Sequence, residues 1–116
     1  MSDDGKRFIH GSRLELYRVN VSSPEFRYLF CRSYEIVIAS GYSVKRENYR
    51  LIFSSCLPTY NTVDELYLYL CNAFEQGLLC HKICVSDVLV IKEDKNRAYY
   101  VDSNGFVEVT NIFKLE

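Results

Sequence analysis

The strongest constraint on the chain lies in residues 85–109, VSDVLVIKEDKNRAYYVDSNGFVEV. Val88, Leu89, Val90 and Ile91 form one apolar run, Tyr99, Tyr100 and Val101 a second, and Phe106, Val107 and Val109 a third. Glu93, Asp94, Lys95 and Asn96 separate the first two, and Asp102, Ser103, Asn104 and Gly105 separate the last two. β-Branched and aromatic side chains suit a pleated, half-buried surface. Short runs of them punctuated by turn residues predict three consecutive antiparallel strands. Asp102 opens the second turn, where Gly105 can take the positive φ of a bulged hairpin. The upstream residues must then be what packs against this meander.

Residues 13–21 alternate, with Leu14 and Leu16 on one face and Tyr17, Val19 and Val21 on the other, and read as a further strand. Residues 1–12 are polar, contain two glycines and read as a flexible N-terminal tail, leaving 13–116 as a single domain. Ser22, Ser23, Pro24 and Glu25 mark a turn or a helix start, because proline suits a first helical position. Residues 26–30 fit either a strand or a short helical turn. Over 33–41, Ser33 as cap and Gly41 as stop favour a two-turn helix, while the β-branched Ile36, Val37 and Ile38 favour a strand. Residues 48–57 read as a strand closed by Pro58.

The clearest helix spans residues 62–76. Thr62 and Glu65 have capping-box spacing, so Thr62 can accept from the Glu65 amide while Glu65 reaches back to the Thr62 amide. Asp64 and Glu65 suit the positive end of the helix dipole. Val63, Leu66, Tyr67, Leu70, Ala73 and Phe74 then lie on one apolar stripe, and Gly77 follows as a stop. The fold expected is α+β: a mostly antiparallel sheet of about five strands with this helix across one face.

Composition excludes several classes. At 116 residues, 48% of them apolar, the chain can build one core without disulfides or metal. No apolar run reaches membrane-spanning length, and no membrane partner is expected. The acidic start Met1-Ser2-Asp3-Asp4 is unlike a secretory leader, and five cysteines are an odd number, so reduced thiols and a cytoplasmic setting are expected. Net charge is −1, which gives no global attraction to nucleic acid. It is unevenly spread, since residues 1–58 carry nine Lys/Arg against six Asp/Glu and residues 59–116 five against nine.

Cys80, His81 and Cys84 invite a zinc reading, but their spacing is not C-x-x-C, and only Cys71 or His10 could complete a set of four. No metal and no other cofactor is expected. Nucleophilic catalysis by Cys80 with His81 requires the two to meet, whereas neighbours on a strand point to opposite faces. Asp87 and Asp102 adjoin apolar strands and read as turn-bracing carboxylates rather than an acid/base pair. Glycine-rich phosphate loops are absent. Tyr99 and Tyr100 point opposite ways, so one of them at most is free to stack on a partner. Lys45, Arg46 and Arg50 cluster beside Tyr42 and Tyr49, a modest basic and aromatic patch.

Residues 80–113 carry a resemblance. The segment Cys80 to Val88 is similar to a G-H-S-L-S-V-S-D-V pattern, matching it at His81, Val85, Ser86, Asp87 and Val88. Ala98, Tyr99, Tyr100, Val101, Asp102, Ser103, Gly105 and Phe106 match A-Y-Y-V-D-S-x-G-F, and Phe113 supplies a closing Phe. These are patterns of the YodL-like domain, a small bacterial domain of mobile-element accessory proteins and large polyvalent proteins. Leu16, Tyr17, Arg18, Val19, Tyr49 and the 62–65 helix start fit its looser remainder. The chain departs from it with Cys80 in place of Gly, and with Lys82 and Cys84 in place of Ser.

The resemblance assigns no reaction. It implies a non-enzymatic inhibitor of a bacterial mobile element or phage that binds a host protein or nucleoprotein complex, with counter-defence of anti-CRISPR or anti-restriction type as one form of that role. The partner-binding residues expected are Tyr42, Lys45, Arg46, Tyr49, Arg50, His81 and Tyr99, with Tyr and Arg on the sheet's open side as anchors. A nucleic-acid-binding accessory module using the 45–50 patch is the first alternative. A small Cys/His-dependent enzyme around Cys80, His81 and Asp87 is the second.

Overall fold

The computed structural model describes residues 8–79 and 82–113. Five strands, β1 (Phe8–Val19), β2 (Tyr49–Pro58), β3 (Val88–Lys92), β4 (Arg97–Asp102) and β5 (Gly105–Glu108), form one sheet in the order β2-β1-β3-β4-β5. Every neighbouring pair is antiparallel. The expected meander is β3-β4-β5, and β1 joins it to β2. Gly105 pairs with Asp102 and has φ +141°, the positive φ anticipated for that turn.

β1 starts earlier than the sequence suggests, inside the segment read as a tail. Phe8 pairs with Pro58, and the register then shifts before Arg13 pairs with Cys56. Gly11, at φ +77°, lies within that irregularity, and a residue without a Cβ takes this conformation at no steric cost.

The sheet is covered on both faces. Leu14 and Leu16 of β1 and Leu89 and Ile91 of β3 pack under α3 (Val63–Glu75), which contributes Leu66, Leu70 and Ala73. On the opposite face Tyr17, Val19, Val88, Val90 and Tyr100 meet Leu29, Val37 and Phe113. These last three come from the short helices α1 (Phe26–Leu29), α2 (Tyr34–Ala39) and α4 (Thr110–Phe113). Among the described residues the centre of the sheet is packed on both faces, so it presents no open side for the expected Tyr and Arg anchors, which corrects that expectation. Four adjacent residues, Val88, Leu89, Val90 and Ile91, are all fully buried, as a strand covered on both sides requires.

Local chemistry sets the helix ends. Ser33 caps α2 by accepting from the Ile36 amide, so the cap outweighs the β-branched run in that stretch. Residues 26–30 resolve as a helical turn. Thr62 caps α3 by accepting from the Glu65 amide at 3.3 Å, as predicted. Glu65 reaches one residue further back than a capping box requires, to the Asn61 amide at 2.9 Å.

Tyr49 and Tyr100 are buried phenols whose hydroxyls donate to the Ser86 and Arg32 carbonyls at 2.8 and 2.5 Å. Burial pushes both well above the ordinary tyrosine value of 10.0. Above that pH the unfolded chain loses these protons while the folded chain keeps them. Their contribution is therefore complete below about pH 10 and is lost as pH rises further. Denaturant midpoints should hold level to about pH 9 and then fall, and Tyr→Phe at both positions should flatten the decline. An alkaline slope unchanged in the double variant would refute this assignment.

Candidate functional site

Asp87, the carboxylate of the candidate enzyme set, and its neighbour Ser86 lie in the turn that leads into β3, and both are fully buried. Arg18 follows Leu16 on the α3 face of β1, where strand alternation places it. Its guanidinium grips Asp87 with both prongs: Nε donates to Oδ1 at 3.0 Å and Nη2 to Oδ2 at 2.9 Å. Nη2 also donates to the Lys82 carbonyl, and Asp87 Oδ2 accepts the Cys84 amide at 2.9 Å. The hydrogen bond to Asp87 raises the Arg18 pKa against the opposing effect of burial.

Ser86 is held as firmly. Its backbone is at φ +87°, uncommon for a residue with a side chain. Its amide donates to the Val101 carbonyl at 2.9 Å, its carbonyl accepts the Tyr49 hydroxyl, and its Oγ accepts the Cys31 amide at 2.9 Å. Asp87 and Ser86 are thus the knot that ties together β1, β3, β4 and Cys31, two residues past α1. Asp87 has no exposed atom from which to meet a substrate.

Asp102 plays a half-and-half role. Its Oδ1 accepts the Tyr34 amide at 3.1 Å, pinning the start of α2, and the Ser103 amide at 2.9 Å, shaping the β4–β5 turn. Beside it a cavity of about 240 Å³ opens between this turn and the first turns of α3. Asp64, Tyr67, Asp102, Ser103 and Phe106 line it. Tyr67 and Phe106 meet edge to face, with ring centroids 5.9 Å apart and planes at 69°. Burial raises the Tyr67 phenol, with a neighbouring contribution from Cys71.

The expected partner-binding residues do not assemble into one surface. Tyr49 is 3% exposed and packs edge-on against Phe113, so it belongs to the core and cannot present its ring to a partner. Arg46 lies over the Tyr17 ring at 4.5 Å and donates to the Tyr49 carbonyl at 2.9 Å. Tyr42 is half-buried and stacked on Tyr28 at 4.8 Å, while Lys45 and Arg50 are exposed. Tyr99, in the middle of β4, is half-buried against the α3-side core, its hydroxyl 3.5 Å from Arg97, which pairs with Glu93 at 2.7 Å. His81 and Cys80 lie outside the described residues. Among the described residues, no three His, Cys, Asp or Glu side chains gather as a metal site would require, and four cysteines are free thiols.

A family model for the YodL-like domain matches residues 13–112. The chain belongs to the YodL-like domain family. No curated protein and no solved structure matches it. In this YodL-like domain the two stretches that carried the resemblance have separate jobs. Ser86 and Asp87 of the first build the buried knot, and Asp102, Ser103 and Phe106 of the second face the cavity. The departures at Lys82 and Cys84 leave the knot intact, because both positions enter it through backbone groups. The cavity escaped sequence reading because no pattern places Asp64 and Tyr67 of a helix against a hairpin turn more than thirty residues later.

Truncating one member of a buried ion pair leaves the other charged and unanswered. Asp87→Ala should therefore destabilise the fold by about 3–5 kcal/mol in denaturant titrations. Arg50→Ala, on the exposed edge strand, should change stability by less than about 0.5 kcal/mol. Equal effects from the two substitutions would remove the knot from its assigned role.

Proposed function

We propose that this YodL-like domain is a non-enzymatic binding protein that acts through protein–protein contact. In this reading it is a cytoplasmic inhibitor of a bacterial mobile element or phage, directed at a host protein or nucleoprotein complex. Counter-defence of anti-CRISPR or anti-restriction type is the specific form proposed. The resemblance to accessory domains of mobile elements supports the setting. No helix among the described residues is long and apolar enough to cross a membrane.

The observation that carries the reading is how the polar groups are used. Arg18 and Asp87, the ion pair best protected from water among the described residues, are closed on each other and on backbone groups. Eight large apolar or aromatic side chains stay exposed instead among the described residues, and three of them fall in the α1–α2 segment. Tyr28, Ile36 and Ile38 are 42%, 51% and 45% exposed, and Arg27 lies over the Tyr28 ring at 5.4 Å. Tyr and Arg contribute more binding energy per residue than most side chains, because they bury large area at low entropic cost. The anchors proposed for the sheet thus move to the α1–α2 segment.

Affinity purification from a bacterial host lysate, followed by titration of the purified partner, tests the reading. Tyr28→Ala combined with Ile36→Ala should weaken binding by more than tenfold while leaving thermal unfolding nearly unchanged, and nuclease treatment should leave the complex intact. Recovery of the domain alone, or of a partner retained only while nucleic acid is present, would count decisively against it. The second outcome would transfer the function to nucleic-acid binding.

A further inference from the structure

The cavity beside the β4–β5 turn has a chemical character of its own. Two carboxylates, Asp64 and Asp102, contribute to its lining, and among the described residues no lysine or arginine does. Asp102 uses only Oδ1 within the fold, and both of its hydrogen bonds go to that atom. Oδ2 has no partner among the described residues. Asp64, at the second position of α3, is exposed and likewise makes no side-chain hydrogen bond there. Tyr67 and Phe106 add aromatic surface, and an edge-to-face pair leaves the faces of the edge-on ring uncovered by its neighbour.

Carboxylate oxygens with spare lone pairs beside aromatic faces attract a cation in two ways at once, through charge-assisted hydrogen bonds and through the ring quadrupole. An anion is disfavoured even though a helix starts nearby, because that positive end is already answered. Thr62 accepts the Glu65 amide, and Asp64 and Glu65 both stand in the first turn. Size narrows the choice. Pockets that enclose drug-sized ligands run to about 300–1,000 Å³, so about 240 Å³ suits one side chain better than a nucleotide or a larger metabolite. Shape narrows it again. A planar guanidinium offers N–H groups along its edge for carboxylates and a flat face for stacking, whereas an ammonium is compact and strongly hydrated.

We infer that this cavity receives the guanidinium of an arginine side chain on a protein partner, with Asp64 and Asp102 Oδ2 accepting its N–H groups and the Tyr67–Phe106 pair covering its face. The inference rests on the binding-protein reading for its partner, but the site itself can be probed without one. The arrangement gives Asp102 a structural oxygen and a recognition oxygen on the same carboxylate.

An amide NMR titration of the intact chain with N-acetyl-arginine amide, and with its neutral isostere N-acetyl-citrulline amide, tests it. The arginine probe should give saturable shifts at the Ser103, Gly105 and Phe106 amides, with a dissociation constant on the order of millimolar. The citrulline probe should bind about tenfold more weakly, the loss expected for charge-assisted hydrogen bonds. Asp64→Asn, on an exposed helix turn, should weaken the arginine probe about as much without disturbing the remaining spectrum. Equal binding of the two probes, shifts centred elsewhere, or no saturation would overturn the inference and leave partner capture untouched. Saturable arginine binding in a domain that recovers no protein from lysate would instead overturn the binding-protein reading.

Discussion

The fork between Arg18 and Asp87 is the constraint on which the remaining geometry depends. Parallel bonds from one guanidinium to one carboxylate fix distance and plane together, so β1 is locked to the turn that opens β3. A buried ion pair adds little net stability over a well-packed apolar pair, because dehydrating two charges is costly. What it supplies here is position. The Lys82 carbonyl and the Cys84 amide find their partners in the same fork, supplied by Arg18 and Asp87. With Asp87 set, Ser86 is carried into its unusual backbone conformation. From there its oxygens accept from Cys31, which lies between the helices that cover the opposite face, and from Tyr49 at the start of β2.

Those contacts explain how a sheet of five strands is buried on both sides in a chain of 116 residues. One long helix suffices for the α3 face. The other face is roofed by three helices of four to six residues, none of which could form alone in water. Each is tied down by a bond to the sheet or by its cap. The Arg32 carbonyl, between α1 and α2, accepts from Tyr100, and the first amide of α2 donates to Asp102. Asp102 therefore couples that roof to the hairpin turn that borders the cavity on the other side of the sheet.

Much of this was legible in the residues because it follows from local rules. Alternation placed Leu14 and Leu16 opposite Tyr17 and Val19, the apolar stripe marked α3, and the D-S-N-G turn announced the last hairpin. The bracing role expected of Asp102 appears as bonds to two amides. Matters of long-range placement were not legible. Nothing in the order of residues distinguishes a Tyr49 that faces solvent from one whose hydroxyl meets the Ser86 carbonyl across the core. Arg46 looked like a free cation for the same reason, though it is spent on the Tyr17 ring and a carbonyl. The buried four-residue run of β3 is what a sheet covered on both faces requires, yet one side was expected to be open, because the segments that cover it carry too little periodicity to identify themselves.

The division of labour between the two carboxylates follows from where each sits along its strand. Asp87 directly precedes β3, the central strand of the sheet, and is fully buried there, so both of its oxygens must be satisfied internally. Asp102 ends β4 next to the edge strand β5, where water reaches one side, so a single satisfied oxygen is enough and the second can remain available. A recognition group must be positioned rigidly yet keep an unfilled valence towards solvent, and these demands conflict everywhere except at such a boundary. The strand-end carboxylate beside an aromatic pair meets both conditions, which is why the inferred arginine site falls at the sheet's edge rather than at its centre.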